Sequence, residues 1–201
     1  MHTEESIVAP PIFELFWEEH RQTVMVAVAA VVALLFAVGG ILLWQHSSTL
    51  AADALFFGAT DKSGWENVVA RYPRSGAAAN ALLLIAAAQR TEKNVAASDT
   101  TYTQFLEQFP KNSLAITALL GKAMNADLAG NAQAATDTFQ QAASAYPQSY
   151  GAPFALMMEA RILIRLGKKE EAKRVLQMLS SQFPDSLVNT VLLHQGAGQT
   201  K

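Results

Sequence analysis

The feature that most constrains the fold is a recurring proline. Pro73, Pro110, Pro147 and Pro184 follow one another at intervals of 37 residues, and an aromatic residue precedes each of them. The passages read RYPRS, QFPKNS, AYPQSY and QFPDSL. A period of about 20–50 residues is typical of stacked supersecondary units that bury apolar surface only against their neighbours. We therefore predict an array of stacked units.

Each unit reads as two helices. In the unit that ends at Pro147, SLAITALLGKAMNADLA is a first amphipathic helix, Gly130 and Asn131 form the turn, and AQAATDTFQQAASAY is a second helix. Proline cannot continue a helix and disfavours α geometry in the residue before it. The next unit repeats the pattern with APFALMMEARILIRL, a turn at Gly167, and EEAKRVLQMLSSQF. The aromatic-Pro pair is thus predicted to end each hairpin so that the next hairpin can stack on it.

Small residues stand where the two helices of each hairpin should cross. A large side chain at either point would hold the helices apart. Phe139 and Leu176, four residues after the second small position, are predicted to close the contact in their hairpins. The predicted crossing pairs are Ala86 with Ser98, Ala123 with Ala135, and Ala160 with Ala172.

These residues resemble the tetratricopeptide repeat. The family pattern of a small residue, Gly, Ala, an aromatic, Ala and Pro is matched by Ala123, Gly130, Ala135, Phe139, Ala142 and Pro147. The following unit matches with Ala160, Gly167, Ala172 and Pro184, while Leu176 replaces the aromatic and Leu179 the second Ala. The unit that ends at Pro110 keeps Tyr102 but has Lys93 in place of the Gly. The unit that ends at Pro73 keeps Trp65, and its first helix would be SSTLAADALFFGA, continuing an apolar segment.

The resemblance implies an all-α fold in which residues 45–201 form an α-solenoid of helical hairpins. The 37-residue spacing exceeds the usual length of about 34 residues, so the first helices or the loops after Pro should be longer. SLVNTVLLHQ, which follows Pro184, is expected to form a capping helix.

An uncharged apolar segment precedes the repeats. Residues 22–44 end in LLFAVGGILLW, and a helix of that length, at ~1.5 Å per residue, crosses a hydrocarbon layer of ~30 Å. We predict a transmembrane helix at 22–44, with Trp17, Arg21 and Trp44 as anchors at the membrane interfaces. A cleaved signal peptide is the main alternative. Its apolar region would be shorter and would follow a basic region, whereas residues 1–21 form an acidic tail.

The orientation of the protein in the membrane is predicted from the basic residues on the two sides of the apolar segment. Arg21 lies beside the apolar segment, while Lys62 is the first basic residue after it. The bias slightly favours a cytoplasmic N-terminus. The aromatic-Pro-x-Ser spelling resembles tetratricopeptide proteins of the bacterial envelope. We therefore expect a single-pass protein of the bacterial inner membrane with its repeats in the periplasm.

Composition argues against several classes of function. The net charge is −2, and nucleic-acid binding would need a basic face. The chain has no Cys, which excludes disulfides and thiolate metal sites. Its four His are scattered, and no HExxH, GxSxG or Gly-rich phosphate loop is present. We predict a protein that is not an enzyme and needs no cofactor.

The resemblance implies a groove that takes a peptide or a partner's helix. By repeat register its lining residues come from the first helix of each hairpin, and Met suits contact with varied partners because it repacks easily. The alternative is that Leu83, Leu120 and Phe154 belong to the core between repeats. The full predicted set is Asn80, Leu83, Arg90, Thr117, Leu120, Met124, Asp127, Phe154, Met157, Arg161 and Ile164.

The whole architecture is similar to the ancillary tetratricopeptide subunits of the Sec translocon. That resemblance implies an adaptor in protein translocation or envelope assembly, in contact with lipid. Its partners would be translocon subunits, exported chains or periplasmic chaperones. Two alternatives remain at this level: a self-associating scaffold of an inner-membrane complex, and a regulatory anchor with cytoplasmic repeats. Ala29, Ala33 and Ala37 would allow close approach of two apolar helices, so a homo-oligomer is also possible.

Overall fold

Every regular element of the described chain is an α-helix. The structure is a computed structural model that describes the backbone of residues 12–187 and the side chains of residues 20–41, 43 and 45–187. The predicted all-α class is confirmed. The helices are α1 (Ile12–Gly58), α2 (Lys62–Arg71), α3 (Gly76–Thr91), α4 (Val95–Gln108), α5 (Ala115–Leu128), α6 (Ala132–Ala145), α7 (Gly151–Arg165) and α8 (Lys169–Gln182).

The chain divides into two units, Met1–Leu50 and Ala51–Lys201. In the first unit, α1 carries exposed apolar side chains such as Met25, Leu35 and Leu43. The stretch His20–Gly58 is, within the described residues, the one helix long and apolar enough to cross a membrane. A signal sequence would pass the same test of length and composition.

The predicted interface anchors lie on or beside this apolar stretch. The Arg21 side chain is exposed. Trp17 and Trp44 lie on α1, but their side chains are outside the described set. Most of the predicted acidic tail, residues 1–11, and the predicted capping helix from residue 188 onward also fall outside the described residues.

The second unit begins with the last turns of α1. Ala52 is fully buried there and packs with Val68 of α2 and with Ala77 and Ala81 of α3. These turns and α2 take the place of a first hairpin and share one buried cluster with α3. The hairpins α3–α4, α5–α6 and α7–α8 follow, and from α2 onward each helix packs against the next along the chain. The second unit is thus the predicted solenoid of helical hairpins.

The same backbone conformation ends the second helix of every hairpin. Tyr72, Phe109, Tyr146 and Phe183 cap α2, α4, α6 and α8, with φ from −131° to −128° and ψ from 52° to 55°. Each cap N–H donates to the carbonyl four residues earlier, so the last turn stays closed. The following proline keeps the cap residue out of α geometry. Each of these four helices therefore ends at the residue before an aromatic-Pro pair.

The turns inside the hairpins also repeat. Gly130 has φ of 78° and Gly167 has φ of 75°, in the left-handed region that glycine enters without steric cost. Lys93, at the same place one hairpin earlier, has φ of 63°. The hairpin α3–α4 therefore keeps the left-handed turn, although it has Lys93 in place of the glycine.

The small residues that were predicted at the helix crossings are buried. Ala86, Ser98, Ala123, Ala135, Ala160 and Ala172 are all 0–2 % exposed. Phe139 is also fully buried, and Leu176 packs against the same core cluster.

The first helices also contact one another. Beyond the packing of sequential neighbours, α3 touches α5 and α5 touches α7. A central first helix such as α5 is thus enclosed by α3, α4, α6 and α7. One stripe along it, from Thr117 to Asp127, remains partly open, and that stripe carries the candidate site.

Candidate partner-binding surface

The open stripe of α5 is defined by its burial pattern. Ala115, Ile116, Ala118 and Leu119 are buried in the first turns, whereas Thr117 between them is exposed. Leu120, Met124 and Asp127 are half-buried at helical spacing along the same side. Residues that recur every three or four positions share one face of a helix. This stripe comprises the predicted groove positions of α5.

Equivalent stripes run along the neighbouring first helices. On α3, Asn80 is exposed while Leu83 and Arg90 are half-buried. On α7, Arg161 and Ile164 are exposed while Phe154 and Met157 are half-buried. We call these three stripes together the first-helix face. It consists of Asn80, Leu83, Arg90, Thr117, Leu120, Met124, Asp127, Phe154, Met157, Arg161 and Ile164.

Several apolar members of this face also contribute to the core. Leu83 packs against the buried cluster around Tyr102 and Phe105. Leu120, Met124 and Met157 pack against the cluster around Phe139. Leu83 and Leu120 therefore belong in part to the core between repeats, which was the alternative interpretation. Each of them is nevertheless only half-buried. Phe154 is half-buried outside these clusters.

Polar contacts join successive first helices across the face. Arg90 of α3 donates from Nη1 to Sδ of Met124 on α5 at 3.5 Å. Asp127 of α5 forms an ion pair with Arg165 of α7. Hydrogen bonding to Asp127 raises the pKa of the Arg165 guanidinium further above its ordinary value. These contacts hold the side chains of the three stripes in one connected surface.

Sequence reasoning missed two residues of this surface. Arg165 is the ion-pair partner of Asp127, and Leu128, next to Asp127, is 65 % exposed. The period pairs Asp127 with Ile164, one position before Arg165. The repeat period could have identified both residues, because Leu128 and Arg165 are themselves 37 residues apart and so occupy equivalent positions. The face therefore extends one position further at the end of each first helix.

A buried carboxyl lies on another side of α7. Glu159 is 7 % exposed, and its Oε2 has no hydrogen-bond partner. Burial, with a smaller contribution from the charge of Asp137 on α6, raises the pKa of Glu159 to about 7. Asn125, on α5, donates to Ser98 Oγ at 3.0 Å. These buried polar groups contribute to packing between helices and not to the open face.

The surface offers no catalytic arrangement within the described residues. No group of three or more His, Asp or Glu side chains there is placed to hold a metal ion. What the face presents is a row of half-buried apolar side chains bordered by Arg90, Arg161 and Arg165, with Asp127 paired. Such a mixture suits contact with another polypeptide.

Comparison with known families agrees with the geometry. Residues 80–112, most of the α3–α4 hairpin, match a tetratricopeptide-repeat model, and residues 128–192, which include α6, α7 and α8, match a second one. No curated protein matches the chain significantly. Repeats of this kind generally mediate protein–protein contacts. The chain therefore contains tetratricopeptide repeats, carried by its solenoid of helical hairpins.

Proposed function

We propose that this protein is a membrane-anchored adaptor that binds a polypeptide partner on the first-helix face. One observation carries the proposal. Each of the three first helices presents half-buried and exposed side chains at positions that recur with the repeat, and these stripes combine apolar and charged side chains. Surface that is both apolar and adaptable, as at Met124 and Met157, is typical of partner-binding sites.

The apolar stretch of α1 supports the membrane part of the proposal. Its exposed side chains form no polar stripe, so a lipid environment would satisfy them better than water. The N-terminus would be cytoplasmic and the repeats would lie outside the cytoplasm. The partner would then be a component of protein translocation or envelope assembly, or an exported chain. Resemblance in architecture is the support for that finer assignment.

The test is photocrosslinking from the full-length protein in native membranes. A photoreactive amino acid is placed at Thr117, an exposed residue of the first-helix face. The matched control is Gln140, which is also exposed but lies on α6, the second helix of the same hairpin. Both substitutions leave buried residues untouched, so both proteins should fold.

Adducts with other proteins from position 117, with few or none from position 140, would support the adaptor and identify the partner by mass spectrometry. Equal adducts from both positions would contradict a binding site on this face. Adducts only with a second copy of the chain would favour a self-associating scaffold instead.

A further inference from the structure

We propose that the first-helix face binds an acidic amphipathic helix of another protein. The apolar side of that helix rests on Leu120, Met124 and Met157. Its carboxylates pair with Arg90 at one end of the face and with Arg161 at the other. This inference rests on the proposed function, because it specifies the chemistry of the partner that binds there.

The first-helix face is positively charged in a chain that is slightly negative overall. Arg90, Arg161 and Arg165 lie on the face or at its edge, and Asp127 is the one carboxylate among its residues. Three guanidinium groups and one carboxylate give the face a net charge of +2, whereas the whole chain carries −2. A surface whose charge opposes that of the molecule attracts partners of the opposite sign.

The second helices of the same hairpins have the opposite charge. α4 contains Asp99 and Glu107, α6 contains Asp137, and neither helix contains a basic residue. In the last hairpin, α8 carries both signs. The positive charge of the face is therefore not a general property of the repeats. It belongs to the first helices, which also carry the apolar stripes.

Two of the three arginines have no carboxylate partner among the described residues. Arg90 is half-buried and donates only to Sδ of Met124, an uncharged and weak acceptor. Arg161 is exposed and forms no ion pair or side-chain hydrogen bond with the described part of the chain. By contrast, Arg165 is paired with Asp127. A guanidinium without a partner is suited to bind a carboxylate through two hydrogen bonds.

The composition of the face favours a helical partner over an extended one. α3, α5 and α7 form the face, and their backbone N–H and C=O groups bond within each helix. Asn80 is the one side-chain amide among the residues of the face. An extended segment would therefore leave most of its own backbone groups without partners, which is costly when they are buried. A helix satisfies its backbone internally and presents only side chains.

The positions of the two unpaired arginines set the length of the partner helix. Arg90 lies on α3 and Arg161 on α7, with α5 packed between these helices. Packed helices are about 8–10 Å apart, so the two positions are separated by roughly 16–20 Å. A helix rises ~1.5 Å per residue, so about 11–13 residues connect its two acidic ends. One side of that segment has to be apolar, because it covers the half-buried Leu120 and Met124.

The experiment is a selection of peptides by the full-length protein in a non-ionic detergent. The probe is a library of peptides of about 18 residues, or five helical turns. Leu is fixed at helical spacing, and the polar positions are drawn from Glu, Gln and Lys. Peptides rich in Glu should bind at least about tenfold more tightly than their Gln counterparts, because each exposed charge pair contributes up to about fivefold. High salt should reduce this preference.

Three variants locate the source of the preference. Arg90→Gln/Arg161→Gln should lose the preference for Glu. Arg90→Lys/Arg161→Lys keeps both charges and should retain it. The matched control, Arg74→Gln/Arg174→Gln, removes two exposed arginines outside the first-helix face and should also retain it. Thermal melts followed by circular dichroism check that each variant folds like the parent protein.

The inference fails if no peptide is retained, if the retained peptides show no preference for Glu, or if the control loses the preference as fully as Arg90→Gln/Arg161→Gln does. The last result would indicate a general effect of net charge. Self-association that Arg90→Gln/Arg161→Gln abolishes would assign the face to a second copy of the chain, whose α4 and α6 are acidic.

The photocrosslinks from Thr117 separate this inference from the proposed function. Adducts with other proteins, combined with no preference for Glu in the library, would leave the adaptor intact and overturn only the acidic partner. An absence of adducts would count against the adaptor, while the selection would still report which helices the face prefers.

Discussion

At the scale of single residues, Gly121 shows how tightly two hairpins are joined. A Cβ at this position would overlap with the ring of Tyr102, which is 3 % exposed. Gly121→Ala should therefore destabilise the protein by about 1–3 kcal/mol, because the ring has to leave its place in a packed core. Urea unfolding followed by circular dichroism measures the change.

The control for this substitution is Gly76→Ala. Nothing lies within 4 Å of a Cβ at Gly76, and the residue opens α3. That variant should be neutral or slightly stabilising, since Ala favours a helix. Combining Gly121→Ala with Tyr102→Leu should cost less than the sum of the two single effects. Additive effects would contradict the contact.

The left-handed backbone conformation of Lys93 is energetically unfavourable, whereas Gly130 and Gly167 adopt it at the equivalent positions without steric cost. Its φ of 63° lies in the left-handed region, which costs a residue with a side chain about 1–2 kcal/mol. Lys93→Gly should raise the free energy of unfolding by about 0.5–1 kcal/mol, reduced by the greater freedom of glycine in the unfolded chain. Gly130→Ala should shift the unfolding midpoint in the opposite direction. Equal midpoints for Lys93→Gly and the parent protein would argue against strain at this turn.

Glu159 makes stability depend on pH. Its pKa is about 7 in the folded protein, against an ordinary value of 4.5, so the folded state holds a proton that the unfolded state releases between these values. Stability therefore falls as pH rises from about 4.5 to 7 and stays lower above that range. The loss is on the order of 3 kcal/mol at ~1.4 kcal/mol per pKa unit.

Glu159→Gln tests this dependence, because the amide stays neutral at every pH. Relative to the parent protein, the variant should be more stable at pH 8 and should gain little at pH 4.5. Thermal melts at the two pH values give the comparison. The control is Glu171→Gln, whose side chain is 46 % exposed and should show no such difference. The same gain at both pH values for Glu159→Gln would mean that packing, and not ionisation, is responsible.

At the scale of the elements, α8 lacks an N-cap that its counterparts have. Asn94 accepts a hydrogen bond from the N–H of Ala97 at 3.3 Å, and Asn131 accepts one from the N–H of Ala134 at 3.2 Å. Lys168 occupies the same place with a similar backbone but caps nothing through its side chain. A lysine charge is also unfavourable at the positive end of a helix.

Lys168→Asn should therefore stabilise the last hairpin by about 1 kcal/mol. The variant loses an exposed ion pair with Glu171 at 3.7 Å, and such a pair contributes less than about 1 kcal/mol. The melting temperature of the full-length protein checks the prediction, with Lys169→Asn, one residue into the helix, as control. A gain for the control but not for Lys168→Asn would contradict the capping argument.

At the scale of the whole molecule, the apolar segment should keep the protein in the membrane. Val32→Arg with Leu35→Asp places two charges near the middle of the segment, each at a cost of about 2.5–3.5 kcal/mol. We expect the parent protein to resist alkaline extraction and the double variant to be extracted. Val32→Leu with Leu35→Val is the apolar control. A mature protein that begins after the apolar segment, and so lacks residues 1–44, would instead indicate a cleaved signal sequence.

The repeat architecture could be predicted closely from the sequence. The helix stops at Tyr72, Phe109, Tyr146 and Phe183 follow from the backbone limits that proline imposes on itself and on its neighbour. The small residues expected at the helix crossings could also be recognised in the sequence, because only small side chains allow two helices to approach closely. Both features depend on interactions within one hairpin.

The candidate site was only partly predictable. The positions of the first-helix face follow from repeat register, but the ion pair of Asp127 with Arg165 lies one residue outside that register. Glu159 stands where the previous repeats have Lys122 and Ile85, so the period alone does not indicate its environment. Which side chains meet between hairpins depends on packing that the repeat pattern does not encode.

The sequence by itself determined the period, the ends of the helices and the apolar segment, since these arise from backbone preferences and composition over a few neighbouring residues. Only the tertiary structure decided which side of each first helix stays open, that Lys93 adopts a left-handed turn, and that the carboxyl of Glu159 is buried. The physical reason is that burial and pairing depend on how helices from different hairpins cover one another, and the residues that meet there lie far apart along the chain.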